Sequence, residues 1–144
     1  MKLRRKKLDR FRALVIYGPS KTGKTHIARQ LGAHLYFRGS INWDKWSKCV
    51  HTASFAVFDD IDWEERTKYP RDLQKALFSG AESFEKCTSD AFMRTLKMGI
   101  PSIIVMNDET PEEQRLLKNW REDPWKRENM DFLAIDRPLF KRAA

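Results

Sequence analysis

The residues best suited to chemistry in this chain lie in one octapeptide, GPSKTGKT, residues 18–25. Gly18, Gly23, Lys24 and Thr25 stand at the offsets of the phosphate-binding pattern G-x-x-x-x-G-K-[ST]. Glycines at both ends let the backbone curl, so that the N–H groups of a loop built from Pro19, Ser20, Lys21 and Thr22 turn toward phosphate oxygens. A helix opening at Lys24 adds its positive end to the same place. Lys24 reaches the β- and γ-phosphates, and the Thr25 hydroxyl is a magnesium ligand. A plain turn is the alternative reading. The apolar run Ala-Leu-Val-Ile-Tyr just before the loop, and the helical pattern just after it, favour the phosphate loop.

Two further polar clusters end apolar runs. In FAVFDD the run leads into Asp59 and Asp60. The first carboxylate suits magnesium held through water, and the second suits orienting or deprotonating an attacking water. Alone, such a pair reads equally well as a helix cap or a solvated strand end. In SIIVMND, Asn107 follows a third run, placed to donate to a γ-phosphate or to the attacking water. Alone it reads as the start of a turn. The three clusters gain meaning only as a set.

The elements that must position them alternate. Residues 13–17 read as a buried strand, and 24–34 as a helix with Ile27, Ala28 and Leu31 on one face and Gly32 near its end. Strands are expected over 54–62, 101–108 and 131–136, and helices over 71–80 and 111–120. Alternation of this kind predicts an α/β fold with a largely parallel central sheet flanked by helices. Ligands of such sheets sit at the carboxyl ends of the strands, where all three clusters fall.

The 144 residues are enough for one domain, and 41% of them are apolar, enough for a core. The net charge of +8 favours polyanionic partners, nucleic acid first. Cys49 and Cys87 lack zinc-ligand spacing and read as reduced, inert thiols of a reducing compartment. No apolar run reaches membrane-spanning length, so no membrane is expected as a partner. Residues 1–12, MKLRRKKLDRFR, form a basic arm ahead of a domain over 13–144. That arm suits a solvated tail, a nuclear-import patch or a DNA contact.

Taken in order, GPSKTGKT, AVFDDI and GIPSIIVMND resemble the superfamily 3 helicase domain of the replication-associated proteins of circular single-stranded DNA viruses, the geminivirus and genomovirus branch above all. The resemblance runs from about Ala13 to Phe140. It implies an AAA+-like P-loop sheet in which the Asn107 strand lies between the loop strand and the Asp-Asp strand. It also implies ATP and Mg2+ as cofactors, single-stranded DNA as partner, 3′ to 5′ unwinding by a homo-oligomer in the form of a hexameric ring, and work in the host nucleus. Lys24 and Thr25 take the places of motif A, Asp59 and Asp60 those of motif B, and Asn107 that of motif C.

Between motifs B and C the family carries a DNA-touching hairpin, for which FEKCTSDAFMRTLKMGIP has the length and place. Lys97 stands where the family has its lysine, with Lys86 and Arg94 beside it; a solvated strand face is the other reading. For the arginine that a neighbouring subunit supplies in ring ATPases, Arg127 is favoured over Arg121 and Arg115 by its place before the last strand. The five tryptophans are expected mainly in packing. The paired histidines and the Tyr-x-x-Lys of the family's nicking domain are missing from this sequence, so no nicking is expected, and the chain reads as a helicase domain or a truncated product, with residues 1–12 as the end of an oligomerisation segment. Two rival readings stay open: a small P-loop kinase acting on a metabolite, and a DNA-binding or oligomerisation module without turnover.

Overall fold

The computed structural model describes residues 11–81, 83–87 and 93–137. The expected basic arm, apart from Phe11 and Arg12, lies outside the described residues. Five strands form an all-parallel sheet: β1 (Ala13–Gly18), β2 (His34–Arg38), β3 (Phe55–Asp59), β6 (Ser102–Asn107) and β7 (Met130–Ala134). Their spatial order is β2-β3-β6-β1-β7. The Asn107 strand therefore lies between the loop strand and the Asp-Asp strand, as the resemblance implied. A separate antiparallel pair, β4 (Ser83–Cys87) and β5 (Met93–Lys97), occupies the place expected for the hairpin.

Helices cover both faces of the sheet, so its inner strands β3, β6 and β1 are apolar runs rather than alternating ones. On one face, α1 (Lys24–Arg29) brings Ala28 against Ile16, Val57, Ile103 and Val105. On the other lie α2 (Trp43–Cys49), α3 (Arg71–Ser79), α4 (Pro111–Glu122) and α5 (Pro124–Asn129). There Val15, Phe37 and Phe58 meet Trp46, Leu77, Phe78 and Leu117. Each such fully buried side chain stabilises the fold by roughly 1.5–3 kcal/mol relative to exposure. Trp46, Trp63 and Trp120 are buried, and Trp43 and Trp125 pack against them, so the tryptophans build core as expected. Trp63 stands edge-on to Phe78 at 5.0 Å between ring centroids, one of the preferred aromatic arrangements.

Local chemistry sets the helix ends. Thr110 and Glu113 form a reciprocal capping box at the start of α4, with Pro111 in the first turn. Gly80 closes α3 in the left-handed conformation, φ 63°. The helix expected over 24–34 is shorter: α1 ends at Arg29, and Leu31 is 63% exposed rather than on the buried face. The chain turns at Gly32 (φ 147°) and enters β2, where pairing with β3 and burial of Leu35 and Phe37 replace a further helical turn.

Candidate nucleotide site

β1 delivers the loop and α1 receives it. Gly23 takes φ 89° at the helix start, and Lys21 takes φ 61°, a left-handed conformation seldom adopted outside glycine. Inside this curl Lys24 is 4% exposed. Its ammonium donates to the Gly18 carbonyl at 3.0 Å, to the Pro19 carbonyl and to the Thr22 hydroxyl at 3.3 Å. Burial pulls the Lys24 ammonium below its ordinary pKa, opposed by the carboxylates of Asp108, Glu109, Asp59 and Glu113. The Thr22 hydroxyl in turn donates to the Pro19 carbonyl at 2.9 Å.

The Thr25 hydroxyl donates to Asp59 Oδ2 at 3.1 Å, joining the loop to the end of β3. Asp60 follows with φ 55°. Neighbouring residues of a strand face opposite ways, but this left-handed turn brings Asp59 and Asp60 to the lining of one hollow. Asn107, the register partner of Gly18 on β6, lines it too. The hollow has a volume of about 440 Å³ and is bounded on its other side by residues 20–26 of the loop. A hydroxyl and a carboxylate are hard oxygen donors. They suit magnesium, which takes one or two carboxylates and completes its shell with water and phosphate oxygens. Among the described residues there is no cluster of three His, Cys, Asp or Glu side chains of the kind an all-protein metal cage needs.

Three residues at this site were not singled out from the sequence. Tyr36, on β2, donates its hydroxyl to Asp59 Oδ2 at 2.7 Å, and burial together with that carboxylate pushes the phenol up to about 12. Arg38, opposite Asp59 in the β2–β3 register, lines the hollow. Glu109 accepts the Ser20 backbone N–H at 2.9 Å, a bond that holds its carboxyl below the usual range. The signal for Tyr36 was the alternation of Leu35 and Phe37 with polar neighbours between Gly32 and Gly39, a strand pattern.

The remaining candidates lie elsewhere. Arg127 and Arg121 line a larger hollow of about 780 Å³ beside Tyr17 and α4, apart from Lys24 and Thr25. Arg121 places its guanidinium carbon 5.7 Å from the Tyr17 ring centroid, and Arg115 pairs with Glu64 at 3.7 Å. Size does not decide between the two hollows. Only the smaller one joins a buried ammonium, a curled loop and two carboxylates. Lys97 is exposed between the buried Leu96 and Met98, and its carbonyl accepts the Trp46 indole N–H at 2.7 Å. Lys86 and Arg94 are register partners on β4 and β5. The intervening residues 88–92 lie outside the described residues.

A parallel sheet whose first strand runs through such a loop into a helix, with acids ending a nearby strand, defines a P-loop NTPase fold. No family model matches the chain. Curated relatives do. The chain is 33% identical over 105 residues to the replication-associated protein of Bean yellow dwarf virus, a match covering 73% of this chain and 28% of that protein. It is 34% identical over 100 residues to that of Tobacco yellow dwarf virus, covering 69% and 27%. For Cabbage leaf curl virus the figures are 26% over 155 residues, covering 92% and 38%. The likeness that the motifs indicated is thus borne out: the chain is similar to one segment of the replication-associated proteins of geminiviruses. A solved structure of JCV helicase with a bound small molecule aligns at TM-score 0.49 and 18% identity, covering 89% of this chain and 36% of that one.

Proposed function

We propose that this domain is an ATP-dependent DNA helicase motor of viral rolling-circle replication, working in the host nucleus. The observation that carries this is the meeting of Lys24, Thr25, Asp59, Asp60 and Asn107 at the carboxyl edge of one parallel sheet, in a chain similar to viral replication-associated proteins. In this reading residues 18–25 hold the ATP phosphates, and Thr25 with Asp59 holds magnesium, which neutralises phosphate charge when bound. Asp60 takes the proton of the attacking water, and Asn107 orients that water or the γ-phosphate.

Arg127 serves the nucleotide of a neighbouring copy in a ring of six. Its place on α5, away from the chain's own loop, suits service in trans. The β4–β5 hairpin carries Lys86, Arg94 and Lys97 to single-stranded DNA, gripping phosphates by charge without reading sequence. ATP hydrolysis with and without single-stranded DNA, together with strand displacement, tests this function. DNA-stimulated hydrolysis with unwinding is expected. Phosphoryl transfer to a small acceptor, or DNA binding without turnover, contradicts it.

A further inference from the structure

Asp59 Oδ2 accepts two hydroxyl protons, one from Thr25 of the phosphate loop and one from Tyr36 of β2, at 3.1 and 2.7 Å. A carboxylate has about two acceptor sites per oxygen, so Oδ2 is saturated by this pair. None of the hydrogen bonds among the described residues uses Oδ1. Tyr36 stands opposite Val57 in the register and reaches diagonally to Asp59. The Arg29 guanidinium carbon lies 4.1 Å from the centroid of its ring, steadying it from α1. The ring is only half-buried and borders the nucleotide hollow, where water is an available partner for its hydroxyl. Burial therefore does not force the bond to Asp59.

We propose that Tyr36 is a positioning residue for the magnesium ion of this site: its hydroxyl fixes the Asp59 carboxylate through Oδ2 and leaves Oδ1 to the water shell of the ion. The proposal rests on the nucleotide-site reading above. Partners that orient a metal-holding group typically affect metal affinity by 10- to 100-fold when removed. Tyr36 is the only described side chain outside the loop that hydrogen-bonds this carboxylate.

The test uses the 144-residue chain, a fluorescent ATP analogue and magnesium titration, with Mn2+ binding followed by electron paramagnetic resonance. Tyr36→Phe keeps the ring and its stacking on Arg29 and removes only the hydroxyl. Analogue affinity in EDTA should stay within about twofold of wild type, while the magnesium midpoint should rise about tenfold and Mn2+ affinity fall alike. In an Asp59→Asn background the same change should add nothing. An unchanged midpoint overturns the proposal, as does an equal loss with and without metal, which makes Tyr36 a packing residue. Wild-type binding that ignores magnesium overturns the nucleotide-site reading itself.

Discussion

Gly18 and Ile135 approach so closely that a Cβ on Gly18 would lie 1.9 Å from the Ile135 carbonyl oxygen. The contact is fixed by the Ile135 N–H, which donates to the Tyr17 carbonyl at 2.8 Å and ties the end of β7 to the mouth of the loop. Gly18 also takes φ 153°, which side chains disfavour. Gly18→Ala must therefore push two backbones apart. A loss of roughly 2–3 kcal/mol in stability is expected, with weaker nucleotide binding. Thermal melts check this, and an unchanged melt contradicts the contact.

Glu109 sets a carboxylate on the Ser20 N–H, one of the loop amides aimed at phosphate. It competes with an anion for that place. Glu109→Gln should raise ATP affinity roughly threefold to fivefold, since exposed charge is screened by solvent. The gain should shrink at high salt. Affinity measured at two ionic strengths checks it; unchanged or weaker binding by the variant contradicts it.

Asp59 and Asp60 should separate by phenotype. Asp59→Asn should raise the magnesium requirement about tenfold, because it weakens the acceptor shared by Thr25 and Tyr36. Asp60→Asn should bind ATP normally and lose roughly 10²-fold or more in turnover, the usual worth of a positioned general base. Magnesium titrations and saturating turnover rates distinguish the two. Interchanged effects contradict the assignment.

Arg127→Ala should bind ATP and assemble, yet turn over about 10³-fold more slowly, the scale of a supplied arginine. Mixing it with Asp60→Asn protein should restore part of the rate, because one kind of mixed interface keeps both residues. Absence of rescue in confirmed mixed oligomers moves the role to Arg121, which shares its hollow.

Much of this was legible in the sequence because apolar runs ending in polar residues have one stable arrangement in a parallel sheet. The strands ending at Gly18, Asp59 and Asn107 lie where their patterns put them. The central place of β6 came only with the family likeness, since strand order is not written in periodicity. β2 was hidden because the helical pattern that opens at Lys24 was carried through Gly32 into its first residue. His34 read as the tail of a helix, and with β2 Tyr36 and Arg38 were lost to view. Glu109 was hidden for another reason. Its bond to Ser20 spans 89 residues and depends on the capping box of α4, which turns the chain after Asn107.

Nucleotide binding by wild type and Lys24→Ala, measured calorimetrically with ATP and magnesium, decides whether residues 18–25 hold the phosphates of ATP. Lys24 is the one loop cation buried among carbonyl oxygens, poised to exchange them for phosphate. One ATP bound per wild-type chain is expected, with an affinity about 10- to 100-fold weaker for the variant, the worth of a charged hydrogen bond. Equal affinity for both proteins, or a wild-type chain that binds no ATP, contradicts it.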